Sequence, residues 1–327
     1  MIRIAIFGFG TVGRGVAEVL LSKKDELKKI LGEFRVVAIA DSKSSIYGDF
    51  DLREAIEYKI RNGRLPKDDR AADLFDIESF DLLIETTPTN VLNGEPGLGY
   101  IREALKRGIN VVTSNKGPLV VAFKELKELA EKRGVRLGYE ATVGGAMPVI
   151  KLVKKDLAGN RVIKILGILN GTCNYILSRM ESEKIGYDQA IQEAQQLGIA
   201  EADPSYDVDG IDAAAKLVII ANSLLGLNSR LEDVEITGIK EITPEAFEVA
   251  LEKGFTIRLI AEADEDGKLE VAPRLVKLTN PLAIYGTLNA LLVKADLAKE
   301  VFVIGRGAGK YETASAIISD VIDIYAR

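Results

Sequence analysis

The sequence predicts an α/β protein with two domains: a doubly wound, mostly parallel sheet at the N-terminus and an α+β domain after it. Two patterns carry this prediction. Short apolar segments alternate with amphipathic ones over the first 140 residues, and later strand-like segments follow one another with few helices between them. At 327 residues the chain is also longer than a single hydrophobic core usually supports.

The first domain is predicted over residues 1–140. Its first strand, Ile2–Phe7, runs into a glycine-rich turn and the helix Thr11–Leu21. A strand that is regularly followed by a helix indicates a parallel sheet with helices on both faces. The remaining predicted elements of this domain are the strands Arg35–Ala40, Leu82–Thr86, Asn110–Thr113 and 134–140, and the helices Ile101–Arg107 and Leu119–Arg133.

The second domain is predicted over residues 141–304 as a catalytic and dimerisation domain with an antiparallel or mixed sheet. A glycine-rich turn at 305–309 then leads into a helix, Tyr311–Tyr325, and we expect residues 305–327 to complete the first domain. A helix is also expected to open at Pro148. The other predicted elements are the strands Lys164–Leu169, Phe255–Ala261, Glu270–Val276 and Leu288–Val293, and the helices Tyr175–Ser182, Tyr187–Leu197 and Ile211–Leu225.

The composition excludes several classes of function. Forty-three basic and 49 acidic residues give a net charge of −6, which disfavours a nucleic-acid partner. No apolar run approaches the roughly 18 residues of a membrane span, so we expect no membrane partner. The single cysteine, Cys173, cannot form an internal disulfide, which fits the cytoplasm. Since histidine is absent, a catalyst must use Lys, Asp, Glu, Tyr or a cofactor.

A glycine-rich motif, GxGxxG, follows the first strand and opens the first helix. In this position it is typical of the Rossmann-type dinucleotide-binding turn. Gly8 permits the tight turn, Gly10 lets a pyrophosphate approach the backbone, and Gly13 allows the helix to pack closely on the strand. The free N–H groups of the helix N-terminus would face the anion. The predicted cofactor-binding residues are therefore Gly8, Phe9, Gly10, Thr11, Val12 and Gly13.

Asp41 ends the second strand and is the candidate to bind the ribose hydroxyls of NAD. Its charge would repel the additional phosphate of NADP, which Lys43 could offset, so the choice between NAD and NADP stays open. The alternative is that Asp41 is a turn residue. Two further strand ends present polar groups where such sheets bind ligands, namely Thr86 and Thr87, and Ser114 and Lys116.

The most informative segment, residues 198–216, places five carboxylates before one lysine. Asp212 and Lys216 are four residues apart on one helix face, so the two side chains can meet. The helix continues with apolar residues after Lys216, and burial together with a neighbouring carboxylate would let this lysine exchange a proton. The alternative is a structural ion pair. No EF-hand spacing is present, and a cationic amine on a substrate fits the carboxylates better than Ca²⁺.

Five sequence blocks, in a fixed order and spread over nearly the whole chain, carry a resemblance to a known family. They are GFGTVGRGVAEVL, SNKGPL, EATVGGAMPVI, LNGTCNYIL and GIAEADPSYDVDGIDAAAKL, and together they resemble the homoserine dehydrogenase family. The resemblance implies the interconversion of L-homoserine and L-aspartate 4-semialdehyde with NAD or NADP, in the threonine and methionine branch of amino-acid biosynthesis. Some members carry a kinase or an ACT-type regulatory domain; we expect neither here, and no built-in threonine feedback.

The resemblance also implies roles for individual residues. Lys216 would exchange the proton of the substrate oxygen, and Lys116 would assist beside the nicotinamide. A turn around Gly307 would return the chain to the cofactor. Glu201 and Asp207 would hold the substrate ammonium. The further substrate-binding candidates are Asp212, Tyr206, Gly171 and Thr172. Glu140 and the carbonyls of Val143, Gly145 and Met147 match a monovalent-cation site, for Na⁺.

A homodimer is expected, with the sheet of the second domain as the interface, because that sheet would otherwise expose an edge or a face. Three other functions compete with this one. A phosphorylating aldehyde dehydrogenase would need Cys173 as a nucleophile, although no histidine can activate it. Another two-domain NAD(P)-dependent dehydrogenase of a small amino-acid-like substrate shares the plan. A nucleotide-sensing regulator would keep the glycine turn but have no use for Lys116 and Lys216.

Overall fold

The structure is a computed structural model that describes residues 1–326 of the chain. It contains two compact units, which are described separately here. One comprises Met1–Gly145 and the chain from Gly309 onward, and the other is Ala146–Ala308. The sequence prediction placed the two changes at residues 140 and 305. Each unit is built around one six-stranded sheet, and the two-domain α/β fold class is confirmed.

The sheet of the first unit has the strand order β3-β2-β1-β4-β5-β6. Its strands pair in parallel except for β2 and β3, which are antiparallel. The order reverses at β1 and β4, and the carboxyl ends of strands at such a reversal are where open sheets bind ligands. The strands are β1 Ile2–Phe7, β2 Phe34–Ala40, β3 Ser45–Tyr47, β4 Leu82–Glu85, β5 Asn110–Thr113 and β6 Leu137–Gly138.

Helices cover this sheet, and the last helix of the chain belongs with them. Its Ile317 and Val321 share a buried core with Ile4, Ile6 and Val16 of the first strand and helix. The helices are α1 Thr11–Ser22, α2 Lys24–Leu31, α3 Leu52–Asn62, α4 Leu74–Ile77, α5 Gly97–Lys106, α6 Lys116–Arg133 and, after the second unit, α12 Lys310–Tyr325.

The sheet of the second unit has the order β12-β11-β7-β9-β10-β8. Neighbouring strands are antiparallel except for the parallel pair β8 and β10. The strands are β7 Val162–Ile168, β8 Glu235–Ile236, β9 Phe255–Asp264, β10 Leu269–Lys277, β11 Leu288–Ala295 and β12 Lys299–Arg306. The helices are α7 Gly171–Glu183, α8 Tyr187–Gln196, α9 Ser205–Val208, α10 Ile211–Ile220 and α11 Pro244–Glu252.

The structure departs from the predicted elements in several places, among them one missed strand and two elements of the wrong extent. β12 was not predicted, because this edge strand has charged residues at its start and half-exposed ones after them, so its alternation is weak. Gly305 therefore lies in a strand and the glycine-rich turn begins after Arg306. The predicted helix to Leu225 is α-helical only to Ile220 and continues as a π-helical turn. Of the strand 134–140, only β6 pairs with a neighbour.

A buried ion pair fixes the far end of α7. Arg258 of β9 donates from Nη1 to Oε2 of Glu181 at 2.8 Å, and both side chains are almost fully inaccessible. Glu181 also accepts hydrogen bonds from Thr256 and Tyr285. Three donors thus compensate the buried charge of Glu181, and because they lie on different elements the carboxylate ties α7 to β9 and to the loop before β11. The other end of α7 forms part of the candidate site.

Candidate active site

The glycine motif forms the turn between β1 and α1. Gly8 has φ +93, and a Cβ there would lie 2.4 Å from the backbone of Thr86. A Cβ on Gly13 would lie 2.0 Å from the carbonyl oxygen of Gly8, whereas a Cβ on Gly10 would meet nothing within 4 Å. The first and third glycines are thus required by close packing. The open space at Gly10, the N-cap of α1, leaves room for a phosphate group at the helix N-terminus.

The remaining residues of this turn differ in exposure. Phe9 is buried in the core, whereas Thr11 is exposed and Val12 half-buried. Thr86 donates its hydroxyl to the carbonyl of Gly8 at 2.6 Å, which joins the end of β4 to the glycine turn. The predicted cofactor residues of β1 and β4 are therefore brought together at one edge of the sheet.

Glu85, which sequence reasoning missed, connects the loops after β4 and β5. This completely buried carboxylate accepts hydrogen bonds from the backbone N–H and hydroxyl of Thr87, from Thr113 and from Asn115. Burial raises the pKa of Glu85, and these hydrogen bonds to the charged form oppose that rise. A polar residue at the end of an apolar strand was the available signal, but it does not show that several donors would converge.

Lys116 is the first residue of α6, which begins at the carboxyl end of β5. Asn115 is the N-cap, and its side-chain oxygen accepts from the N–H of Gly117 at 3.0 Å. The same amide donates toward Glu85 and Thr87. The network around Glu85 therefore fixes the position of Lys116 at the start of α6. Half-buried Ser114 lies in the same loop between β5 and α6.

Asp41 follows β2 and serves as a turn residue in this structure. Its Oδ1 accepts from the N–H groups of Lys43 and Ser44 and from the Ser44 hydroxyl, and its Oδ2 lies 2.5 Å from Nζ of Lys59. Partial burial by itself would raise the pKa of Asp41, but these hydrogen bonds, foremost that from Lys59, lower it. Lys43 is exposed. The charge of Asp41 is thus largely offset by Lys59, a partner that the sequence analysis did not name.

In the second unit, Asn170 organises the polar groups at the N-terminus of α7. It is the N-cap, and its side-chain oxygen accepts from the N–H of Cys173 at 2.8 Å. Its Nδ2 donates to Asp207 at 2.6 Å and to Asp212 at 2.9 Å. One buried amide thereby holds two carboxylates close together. Asn170 lay within a quoted block, but its bridging role could not be read from the sequence.

Lys216 and Asp212 pair as their spacing predicts. Nζ of Lys216 lies 2.7 Å from Oδ2 of Asp212 and donates to the carbonyl oxygen of Leu169 at 2.7 Å. Lys216 is 8% exposed, in a helix whose other residues are mostly buried and apolar. The helix begins after Gly210, which has φ +85. A buried ammonium with two oxygen partners is thus placed at the end of β7.

Asp207 and Tyr206 lie beside this pair on α9. Burial raises the pKa of Asp207, and the charge of Asp212 raises it further, against the hydrogen bond from Asn170. Burial also raises the pKa of Tyr206. The Tyr206 hydroxyl is inaccessible and has no hydrogen-bond partner among residues 1–326. A buried hydroxyl without a partner is uncommon, which makes Tyr206 a candidate to bind a ligand.

The other predicted substrate residues are placed differently. Gly171 and Thr172 are the first residues of α7, and Thr172 donates to the carbonyl of Ile199 at 3.2 Å. Glu201 is exposed, and its carboxylate makes no hydrogen bond or ion pair within the described part of the chain. The structure therefore links Asp207, Asp212 and Lys216 through hydrogen bonds, in which the Glu201 carboxylate takes no part.

Cys173 is buried, and its thiol donates to the carbonyl of Asp207 at 3.1 Å. Burial raises the pKa of this thiol well above its ordinary value, as do the neighbouring carboxylates. The thiolate that a phosphorylating aldehyde dehydrogenase requires is thus strongly disfavoured.

The first of the predicted cation ligands, Glu140, lies in a buried turn. Glu140 is 3% exposed, opens the 3-10 turn Glu140–Thr142, and donates its backbone N–H to Asp320 at 2.9 Å. Val143 and Gly145 follow it, whereas Met147 belongs to the second unit. One carboxylate with backbone carbonyls is an all-oxygen donor set that suits a hard cation. Residues 1–326 contain no cluster of three His, Cys, Asp or Glu side chains able to hold a metal.

The first unit thus has the turn and strand-end residues of a dinucleotide site, and the second has a lysine able to exchange a proton next to carboxylates able to bind an amine. Together these features define an NAD(P)-dependent dehydrogenase that acts on a small amino-acid-like alcohol. None of the helices within the described residues is long and apolar enough to span a membrane.

Comparisons with known proteins make the assignment specific. The family model for homoserine dehydrogenase matches residues 148–322, and that for the homoserine dehydrogenase NAD binding domain matches residues 8–140. The homoserine dehydrogenase of Methanocaldococcus jannaschii is 49% identical over 98% of both chains. The NAD(+)-dependent homoserine dehydrogenase of Pseudomonas canavaninivorans is 36% identical, over 99% of this chain and 96% of its own.

Two solved structures agree. A putative homoserine dehydrogenase from Archaeoglobus fulgidus matches over the full length of both chains with a TM-score of 0.96 and 60% identity. A hyperthermophilic archaeal homoserine dehydrogenase in complex with NADPH matches with a TM-score of 0.86 and 34% identity, over 99% of this chain and 97% of its own. The chain belongs to the homoserine dehydrogenase family, and it is an NAD(P)-dependent oxidoreductase of the aspartate-family pathway.

Glu85→Gln tests whether the buried carboxylate positions the cofactor loops. The new amide offers one acceptor where Glu85 has two, so one of the donors in the network loses its partner. We expect the free energy of unfolding to fall by about 1–3 kcal/mol and the KM for the nicotinamide cofactor to rise. Chemical denaturation and initial rates measure both. The exposed Glu57→Gln is the control, and equal KM values in the parent and Glu85→Gln would contradict the role.

Proposed function

We propose that Lys216 exchanges the hydroxyl proton of L-homoserine, as the acid in the reduction of L-aspartate 4-semialdehyde and the base in the reverse direction. The observation that carries this proposal is the buried contact of its Nζ with Asp212 and with the carbonyl of Leu169. Asp212 stabilises the ammonium that donates the proton to the developing alkoxide. The nicotinamide, when bound, supplies or accepts the hydride.

Asp207 is the proposed partner of the substrate ammonium. Its carboxylate is held by Asn170 next to Asp212, so two negative charges face one small region. Burial raises the pKa of Asp207, and the charge of Asp212 raises it further; a cationic amine placed there would relieve the repulsion between the two carboxylates. Tyr206, Gly171 and Thr172 are proposed to complete the substrate site. Glu201 remains a second candidate for the ammonium, on the same loop.

On the cofactor side, the proposed contacts are the glycine turn, the loops after β4 and β5, and Gly307. Lys116 is the second catalytic candidate, because it opens α6 at the ligand-binding edge of the sheet. We propose that the enzyme accepts both NADP and NAD. The support is that Lys59 offsets the charge of Asp41, which would otherwise repel a 2′-phosphate.

Three further assignments belong to this proposal. The sheet of the second unit is proposed as the interface of a homodimer, since Phe302 and Ile304 leave apolar surface partly exposed on it. Glu140 and the carbonyls of Val143, Gly145 and Met147 are proposed to bind Na⁺, on the basis of their donor set. A cytoplasmic location is proposed, because the single cysteine forms no internal disulfide.

Lys216→Ala tests the proposed proton exchange. We expect kcat for L-homoserine oxidation to fall by at least about 100-fold, since general acid–base catalysis by one residue contributes about 10²–10⁴ in rate. The rate is measured by absorbance of the reduced cofactor. The control is Lys240→Ala, which removes a half-exposed lysine paired with Asp209 in the same unit. A kcat for Lys216→Ala within threefold of the parent, with lower stability only, would show that the ion pair is structural.

The pH dependence of kcat/KM tests Asp207. A protonated Asp207 cannot hold an ammonium, and its pKa is raised by burial. We therefore expect kcat/KM for homoserine to fall as the pH falls through a value above that of an ordinary aspartate. Asp207→Asn should have a low kcat/KM throughout and lose this acid limb. If Asp207→Asn kept the same limb, a different group would be responsible.

The raised pKa of Asp207 also makes the free energy of unfolding depend on pH, in a direction that the shift determines. Because the folded-state pKa of Asp207 is above its unfolded value, folding favours the protonated form. The contribution to the free energy of unfolding is therefore fully present below the unfolded pKa and is lost as the pH rises through the folded one. An amine ligand binds the ionised form of Asp207, whereas folding alone favours the protonated form. Ligand affinity and intrinsic stability should thus respond to pH in opposite directions over this window.

A further inference from the structure

Asn289 is a buried polar residue that neither the sequence analysis nor the proposed mechanism uses. It is the second residue of β11, is 1% exposed, and pairs in register with Gly305 of β12. Alternate residues of the same strand, Leu291 and Val293, point to the same face of the sheet and are fully buried. An apolar side chain would be the ordinary occupant of this position.

The amide of Asn289 has no hydrogen-bond partner. Both Nδ2 and Oδ1 are inaccessible, and neither is paired within residues 1–326. The buried Asn170 contrasts with it, because that amide makes three hydrogen bonds. An unpaired buried amide destabilises the folded protein. We therefore expect a state of the enzyme in which this amide is hydrogen-bonded.

The surroundings of this amide connect it to the substrate site. A Cβ on Gly307 would lie 2.0 Å from Nδ2 of Asn289, and a Cβ on Gly171 would lie 3.4 Å from its Oδ1 and 2.6 Å from the carbonyl of Thr287. The amide is therefore wedged between the first residue of α7 and the turn after β12. Any side chain at position 307 would displace it.

We propose that Asn289 is a positioning residue for homoserine oxidation. In the substrate-bound enzyme its amide hydrogen bonds to backbone groups of the turns at Gly171 and Gly307, and so holds the turn of the substrate site in place against the turn that follows β12. The inference rests on the proposed function, in which Gly171 and Thr172 belong to the substrate site. Because the pairing forms on binding, Asn289 contributes more free energy to the bound state than to the free one.

The hydroxyl of Tyr206, which also lacks a hydrogen-bond partner, is a second and independent observation in favour of such a bound state. It lies beside Asp207 on α9, is inaccessible, and lacks a partner among the described residues. Among the described residues of this unit, Asn174, Tyr206, Arg258 and Asn289 each have a buried polar atom without a partner; Tyr206 lies beside the carboxylates and Asn289 lies against Gly171. Groups of this type are expected where a ligand or a rearranged backbone supplies the missing hydrogen bonds.

Asn289→Leu separates a positioning role from a structural one. Leucine has a similar shape but no polar atoms, so it removes the unpaired groups from the core. We expect a Tm equal to or above that of the parent, together with a KM for L-homoserine at least about tenfold higher at saturating cofactor. The rise in Tm on adding L-homoserine should also become smaller. Leu291→Met, on the same face of β11, is the control and should leave KM unchanged.

The proposal is overturned if Asn289→Leu has the KM and the substrate-induced Tm shift of the parent, whatever its stability. If this variant does not fold, Asn289→Ser is measured instead, since serine cannot overpack the site and its hydroxyl is too short to reach both turns. A tenfold rise in its KM supports the proposal, and an unchanged KM overturns it. Both variants are compared with the parent enzyme. The proposed function is tested separately, by the activity of the parent and by the Lys216→Ala variant.

Discussion

The hydrogen bonds from the Asn170 amide to Asp207 and Asp212 are the interaction on which the polar cluster of the second unit depends. Without a donor between them, two carboxylates this close would repel each other and separate. The same residue caps α7, so the position of the carboxylates is tied to the start of that helix. Lys216 then pairs with Asp212, so one chain of hydrogen bonds connects its amine to both carboxylates.

A corresponding constraint operates in the dinucleotide-binding unit. There the buried carboxylate of Glu85 collects hydrogen bonds from two loops, and the N-cap Asn115 transmits that arrangement to the first turn of α6. Both units thus use a buried amide or acid, compensated by neighbouring donors and acceptors, to hold a lysine near the end of a strand. Such networks are rigid when every member is paired, which suits groups that must keep a fixed geometry.

Much of the fold could be predicted from the sequence, because local patterns determine it. The glycine turn predicted the first βα unit, and the four-residue spacing predicted that Asp212 and Lys216 meet. The edge strand β12 was missed, since half-exposed strands lose the alternation that identifies them. Asn170, Glu85, Lys59 and Asn289 were missed for another reason. Their roles arise from partners between 18 and 42 residues away, or from the absence of any partner, and only the folded chain shows that.

The central claim is that L-homoserine binds at the cluster of Asp207, Asp212 and Lys216. A crystal structure of the enzyme with L-homoserine and the oxidised cofactor tests it most directly. The account predicts the substrate hydroxyl oxygen at hydrogen-bond distance from Nζ of Lys216, about 2.7–3.2 Å, with the ammonium on Asp207. A substrate bound with its hydroxyl away from Lys216, while that amine still contacts only Asp212 and the carbonyl of Leu169, would contradict it.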